Sequence, residues 1–159
     1  MSKSSAARLL AAVLLIALSP LSFAQGTGSI TVSAAVSGVC RFTATPDMTF
    51  SAIDPSGTAA ATQTSTIKYK CTKGTTGGTF QVGGTSTSPY SGTLTGISAS
   101  PETMAYSISW TGPASFTGEG FGAAAAENSV TLTGSIAATA YSVVKADTYR
   151  QVVALTIAP

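Results

Sequence analysis

The chain has 159 residues, of which 44% are hydrophobic and only 9% are charged, and it contains no histidine. This length suits one domain, and a formal net charge of +2 provides no basic surface of the kind that nucleic-acid binding needs. Without histidine, and with only two cysteines, the chain also lacks the ligands of a zinc site.

The first residues have the order of a cleaved export signal. Lys3 and Arg8 precede an apolar run over residues 9–18, and Ser22-Phe23-Ala24 provides small residues for cleavage. The apolar run is shorter than the ~20 residues that span a bilayer. We therefore predict a signal peptide over residues 1–24 and an exported protein whose six remaining basic residues balance its six acidic ones.

An uncharged segment in which apolar and polar residues alternate follows this signal. Its apolar side chains share one parity and are Ile30, Val32, Ala34 and Val36. Because successive side chains of a strand point to opposite faces, we expect a strand over residues 28–37 with one apolar face. Gly38 then permits a change of direction. The residues alone leave open whether this strand belongs to its own domain or pairs with a neighbouring molecule.

The chain has two cysteines, Cys40 and Cys71. An even number of cysteines in an exported protein predicts one disulfide. Closing a loop of about thirty residues should stabilise the fold by roughly 3 to 4 kcal/mol, because the cross-link restricts the unfolded chain.

Threonine, serine, glycine, valine and tyrosine dominate the rest of the chain, as in sheets joined by tight turns. Strand-like runs cover residues 28–37, 39–43, 47–50, 63–71, 78–82, 92–97, 104–110, 129–136 and 149–157. Many short strands with turn signals between them predict a sandwich or a barrel. Residues 57–66 are expected to form a surface loop, and the alanine run 123–126 forms either a helical turn or a flat loop.

We expect the apolar side chains of these runs to form one core. Its members are Phe42, Phe50, Ile67, Tyr69, Phe80, Val82, Leu94, Ile97, Tyr106, Ile108, Trp110, Val130, Leu132, Ile136, Tyr149, Val153, Leu155 and Ile157. The last run carries no charge after Arg150, and an uncharged apolar edge pairs readily with another chain unless something covers it. No later strand is expected to cover this one.

Motifs in both halves of the chain follow one another in a characteristic order. The first half contains Val39-Cys40-Arg41-Phe42, Pro46-Asp47-Met48-Thr49-Phe50, Ile53-Asp54-Pro55 and Thr66-Ile67-Lys68-Tyr69-Lys70-Cys71-Thr72. The second half contains Met104-Ala105-Tyr106, Gly118-Glu119-Gly120, a run over 130–136 and a closing run over 146–152. Together they resemble the spore coat protein U domain family, which includes subunits of archaic chaperone-usher pili. Asp147 and Gln151 depart from the family's usual glycine and aspartate.

The resemblance implies an all-β fold, an incomplete immunoglobulin-like β-sandwich that is completed by donor-strand exchange. A domain over residues 39–159 would follow a donor-strand extension over 25–38, which inserts Ile30, Val32, Ala34 and Val36 into a neighbouring subunit. The acceptor groove would be lined by the closing-strand residues Tyr149, Val153, Leu155 and Ile157. The implied partners are identical or related pilus subunits, a periplasmic chaperone and an outer-membrane usher, without nucleic acid, metal or small-molecule cofactor.

Under this resemblance the protein passes through the periplasm and forms a pilus or fimbria at the cell surface, serving adhesion or biofilm formation. Two alternatives remain: a secreted spore-coat or surface-matrix structural protein, and a carbohydrate-binding adhesin that presents Tyr90, Phe116 and Phe121.

We do not expect an enzyme. Asp47 and Asp54 are the carboxylate pair that glycoside hydrolysis would use, but their neighbouring prolines are typical of turns.

Overall fold

A computed structural model of the chain describes residues 26–76, 78–98, 101–112 and 116–159. The predicted signal peptide, residues 1–24, lies outside these residues. The chain divides into two units between Ala35 and Val36, and residues 26–35 are the described part of the first. Among the described residues, no helix has the length and apolarity to cross a membrane.

Strands form almost all of the regular structure in the described part of the chain, which confirms the predicted all-β class. The strands are β1 (Cys40–Ala44), β2 (Ala61–Cys71), β3 (Thr79–Val82), β4 (Tyr90–Gly96), β5 (Thr103–Thr111), β6 (Asn128–Ile136), β7 (Tyr149–Arg150) and β8 (Leu155–Ala158). A four-residue helix, α1 (Ala138–Tyr141), lies between β6 and β7.

The main sheet has the antiparallel order β1–β2–β6–β5–β4–β7. Its side chains alternate between two faces, as a pleated strand requires. In β5, for example, Tyr106 and Ile108 are buried, whereas Ala105 and Ser109 are exposed. One face of the sheet is therefore apolar and covers the core, and the other is rich in serine and threonine.

A smaller sheet pairs β3 with β8, with Val82 opposite Leu155 and Thr79 opposite Ala158. Phe80 of β3 connects this sheet to the main sheet. Its ring meets the rings of Phe42 and Trp110 edge-on, at centroid distances of 6.4 and 6.3 Å. Such edge-to-face contacts are favourable because the ring edge and the ring face carry opposite partial charges. Phe80 thus packs the smaller sheet against the core.

The predicted disulfide joins Cys40 of β1 to Cys71 of β2, two residues that lie opposite each other in the sheet. Cys71 is fully buried, and Tyr69 on the same face packs its ring against Phe116 at 5.4 Å. The disulfide therefore fixes the outermost strand of the main sheet to the core.

The segment that precedes β1 differs from the sequence-based expectation. No residue between 26 and 39 is assigned to a strand, although a strand was predicted over 28–37. Ile30, Val32 and Val36 are 89%, 85% and 84% exposed. A strand needs hydrogen bonds to a second strand, so the alternating pattern alone does not produce one here.

Other predicted elements also differ from the structure, because strand pairing sets their bounds. The expected loop over 57–66 is wrong in its second half, because β2 begins at Ala61, which pairs with Ile136. The predicted strand over 47–50 does not form. The predicted closing strand over 149–157 is divided between two sheets, since β7 pairs with β4 whereas β8 pairs with β3.

Three further expectations need correction or completion. Ile97 was predicted in the core but is 56% exposed, because β4 ends at Gly96. The alanine run 123–126 forms a turn, with the Ala125 N–H donating to the Gly122 carbonyl. The helix α1 was not predicted, since four residues are too few to show a helical period.

Replacing both Cys40 and Cys71 with alanine should lower the free energy of unfolding by about 3 to 4 kcal/mol, given their separation of 31 residues. Urea denaturation of the wild type and the double variant measures this difference. Alkylation of the wild type without a reductant should label neither cysteine. Equal urea midpoints for the two proteins would contradict a stabilising role for the disulfide.

Candidate functional site

A cleft of about 1020 Å³ lies over the apolar face of the main sheet. Four parts of the chain form most of its lining. They are a first wall over residues 45–53, which follow β1, a second wall over residues 149–155, the residues Tyr141 and 144–148 that lead into the second wall, and a floor of inward-facing side chains from the main sheet. The walls have little regular structure: the first contains no strand and the second contains only β7 and the start of β8.

The first wall lies over β6 because Gly134 leaves room for it. A Cβ atom at position 134 would collide with the Met48 sulfur and lie 2.9 Å from the Phe50 ring. The buried Ser65 hydroxyl donates a 2.9 Å hydrogen bond to the Pro46 carbonyl. These contacts hold the first wall against the sheet without strand pairing.

The second wall begins beside the edge of β4, where Gln151 binds that strand through both ends of its amide. The Thr93 N–H donates to Gln151 Oε1 at 3.1 Å, and Gln151 Nε2 donates to the Tyr90 hydroxyl at 3.4 Å. Tyr149 pairs with Gly96 in the sheet. The second wall is therefore bound to the edge of the main sheet opposite β1.

Two carboxylates fix the chain that leads into the second wall. Asp147 accepts hydrogen bonds from the N–H groups of Ser98 at 3.1 Å and Thr148 at 2.8 Å, and these bonds lower its pKa, the bond from Ser98 most. Glu102 accepts from the Lys145 N–H at 2.7 Å, which lowers the pKa of Glu102, and it forms an ion pair with the Lys145 side chain at 3.3 Å.

Asp147 and Gln151 thus both anchor the second wall. Their polar side chains bind main-chain N–H groups of Ser98 and Thr93, on or just beyond β4. These two side chains therefore support the shape of the cleft.

The floor between the two walls is formed by β5, which lies between β6 and β4 in the sheet. Its inward side chains Met104, Tyr106 and Ile108 are buried and line the cleft. The Tyr106 ring lies across Gly92 of β4, where a Cβ atom would come within 2.6 to 2.8 Å of Tyr106 ring carbons and its hydroxyl. The absence of a side chain at Gly92 thus determines where the Tyr106 ring lies.

The hydroxyl of Tyr106 is the one polar side-chain atom in the described residues that is buried without a hydrogen-bond partner. The whole residue is only 8% exposed. Burial, and then the neighbouring Tyr90 hydroxyl, raise the pKa of Tyr106 to about 12. The hydroxyl lies over Gly92 and beside Tyr90, away from solvent in the cleft.

The edge of β8 that borders the cleft lacks a paired strand. The Gly83 N–H donates to the Ala154 carbonyl at 2.8 Å, and main-chain groups of successive residues in a strand point to opposite sides. The N–H and C=O groups of Val153, Leu155 and Ile157 therefore point away from β3. Among the described residues, β3 is the only strand that pairs with β8. Such an edge is a template for another strand.

The structure brings together three of the four residues predicted to line an acceptor groove. Tyr149, Val153 and Leu155 line the cleft, whereas Ile157 packs against the core beyond it. Sequence reasoning did not identify the first wall as part of the site. The sequence predicts a strand over residues 47–50, whereas these residues form a wall of the cleft without strand pairing.

The aromatic residues named for the carbohydrate-binding alternative differ in exposure. Phe116 is buried against Tyr69 whereas Phe121 is 46% exposed, so the predicted aromatic patch does not form. The Asp54 carboxylate accepts hydrogen bonds from the Ser56 N–H and hydroxyl, which lower its pKa and stabilise a turn. In the described part of the chain, no group of acidic or cysteine side chains is arranged to hold a metal ion.

Comparison with known protein families, with curated proteins and with solved structures finds no match to this chain. The cleft, its open strand edge and the exposed segment before β1 are therefore the features from which a function can be inferred.

Replacing Gly134 with valine should displace the first wall, because the new side chain needs the space of Met48 and Phe50. We expect a loss of about 1 to 3 kcal/mol in the free energy of unfolding, as for overpacked cores. Ser135→Val is the matched control, since residue 135 points to the outer face, and it should change little. Equal losses in urea denaturation would contradict the placement of the first wall over β6.

Alkaline titration should reveal the raised pKa of Tyr106. Its pKa rises from the ordinary 10.0 to about 12, so its protonated form stabilises the fold below pH 10, and this stabilisation is lost as the pH rises from 10 through about 12. Tyrosinate absorbance, recorded after a rapid pH jump, should show one tyrosine that ionises near pH 12. Tyr106→Phe should remove that step, and an unchanged titration curve in this variant would contradict the burial of the hydroxyl.

Proposed function

We propose that this chain is a structural subunit of an extracellular pilus or fimbria, assembled by a chaperone-usher pathway through donor-strand complementation. Residues 1–24 direct export, and residues 39–159 form an incomplete immunoglobulin-like sandwich. The extension over 25–38 of one subunit completes the cleft of the next. A periplasmic chaperone and an outer-membrane usher are the partners during assembly, and the finished fibre serves adhesion or biofilm formation.

The open edge of β8 beside an apolar cleft is the observation that carries this proposal. An added strand between the two walls would pair with the main-chain groups of Val153, Leu155 and Ile157, which point away from β3. Its inward side chains would cover Met104 and Ile108 on the floor. Addition of a strand to an exposed sheet edge is a common mode of peptide recognition, in which the main chain provides affinity and side-chain pockets provide specificity.

The segment before β1 has the chemistry that such a site needs. Residues 26–39 carry no charge, and Ile30, Val32 and Val36 are almost fully exposed. Burying each of these three side chains would stabilise an assembly by about 1.5 to 3 kcal/mol. Exposed apolar side chains in a row therefore favour an interaction surface.

The segment is long enough to form a strand with four side chains on one face. From Ile30 to Val36 it spans about 20 Å in an extended chain. Because the segment and the cleft are different surfaces of one chain, each subunit can offer its segment to the next, and such contacts produce a filament.

Val32→Asp should abolish assembly of the full chain, because the cleft would have to bury an unpaired carboxylate. Ser33→Asp is the matched control, since it adds the same charge on the opposite parity, and it should still assemble. Size-exclusion chromatography and gel electrophoresis in detergent without heating measure the assembly. The wild type and Ser33→Asp should form multimers that separate only on heating.

Two results would overturn the proposal. One is a wild-type chain that stays monomeric at high concentration and unfolds in a single ordinary transition. The other is a Val32→Asp variant that fails to fold, since this would make the segment an internal strand of its own domain. Circular dichroism of Val32→Asp distinguishes a folded monomer from an unfolded chain.

A further inference from the structure

The disulfide between Cys40 and Cys71 lies where the extension joins the domain, and it encloses the first wall of the cleft. The chain between the two cysteines contains the rest of β1, the first wall over residues 45–53 and most of β2. We propose that the disulfide keeps tension along the filament away from the first wall. A pull on a subunit's own extension then does not release the segment bound in its cleft. This inference rests on the proposed function, and it assigns the disulfide a mechanical role in it.

Tension enters each subunit through its extension. In a filament whose subunits are joined head to tail, a pull on the filament passes through every junction in turn. From the extension the pull reaches Val39 and then Cys40. The covalent bond to Cys71 passes the force on directly, because it is far stiffer and stronger than the hydrogen bonds around it. The residues between the two cysteines therefore bear little of the tension.

The receiving end of the disulfide is well anchored. Cys71 is fully buried, and its carbonyl accepts a 2.9 Å hydrogen bond from the Gly120 N–H. The Gly74 N–H donates to the Gly118 carbonyl at 2.8 Å, and the Gly118 N–H donates to the Thr75 carbonyl at 2.7 Å. From here the chain continues into β3, which pairs with β8 beside the cleft. The force thus reaches the strand that borders the cleft without passing through the first wall.

Without the disulfide, the same pull would act on a weakly held part of the domain. Among the described strands, β1 pairs only with β2, and its register shifts between Phe42 and Ala44. The first wall, which follows β1 directly, has no strand pairing and is held by packing over Gly134 and by the hydrogen bond from Ser65 to Pro46. A pull at the start of β1 would open its pairs one after another and then draw the first wall off the sheet. The cleft would lose the segment that it holds.

Filaments held under a constant pull in optical tweezers test this role. Filaments of the Cys40→Ala/Cys71→Ala chain should lengthen in steps of about 70 Å, the extended length of residues 40–60, before they break. Under the pull they should break roughly tenfold sooner than wild-type filaments, beyond any difference seen without a pull, since only the hydrogen bonds of β1 then resist the force. Double-variant filaments that break without such steps, and as late as the wild type, would disprove the mechanical role.

Val130→Ala is the control for a domain that is merely less stable. It removes buried methyl groups from β6, outside the loop that the disulfide encloses, and it leaves the route of the force unchanged. Its filaments should break without the lengthening steps. The same steps in Val130→Ala filaments would show that lost stability, and not the lost disulfide, exposes the first wall.

A change of pulling point tests the proposal with the disulfide intact. In the monomeric Val32→Asp chain, one handle is attached to the exposed Thr131 of β6, and the other to either Gly28 or Thr45. Pulling at Gly28 loads the disulfide, whereas pulling at Thr45 loads the first wall inside the loop. Only the pull at Thr45 should give an early lengthening of about 50 Å, as residues 45–60 leave the sheet. Equal forces and equal steps at both points would contradict the proposal.

These outcomes are distinguishable from a failure of the proposed function. If Val32→Asp still assembles, insertion of the segment is wrong, and the filament tension that the disulfide would carry no longer follows. If Val32→Asp blocks assembly while both pulling points give the same result, insertion stands and only the mechanical role is wrong.

Discussion

The pairing of β8 with β3 is the constraint on which the functional surface depends. One edge of β8 pairs with β3, and the main-chain groups of Val153 and Leu155 on the other side of this segment face the cleft. Two strands cannot cover the apolar face of the wider main sheet. The remaining area is bordered by two irregular segments, and the strip between them, Met104 to Ile108 on β5, forms the floor. The cleft thus lies over the part of this face that β3 and β8 leave uncovered in the described part of the chain.

The cleft is formed before anything occupies it, because hydrogen bonds hold its walls. Ser65 holds the first wall through Pro46, and Gln151 holds the second wall through Thr93 and Tyr90. Binding to a preformed site costs less free energy, because the receptor does not have to be ordered. In the proposed assembly, most of the ordering cost therefore falls on the incoming segment, which lacks regular structure before it binds.

Features with a local cause could be predicted from the sequence. The alternation in β2, β5 and β6 identified the buried faces, and two cysteines in an exported chain identified the disulfide. Features with a distant cause could not. The division of residues 149–157 between two sheets depends on which strands lie beside them, and the exposure of Ile97 depends on where β4 stops. The first wall was missed because Gly134, eighty-six residues after Met48, creates the space that Met48 fills.

The outer face of the main sheet has a consequence for the surface of any fibre that these subunits build. Ser91, Ser107, Ser135 and Thr62 lie side by side in one row across four strands, and Ser109, Thr133 and Thr64 form the next row. Hydroxyl groups hold water but carry no charge that dissolved salt can screen. Arg41, Lys68 and Lys70 lie on the same face near its β1 edge. Contacts made through the hydroxyl rows would therefore depend little on ionic strength, whereas contacts made near β1 would weaken with added salt.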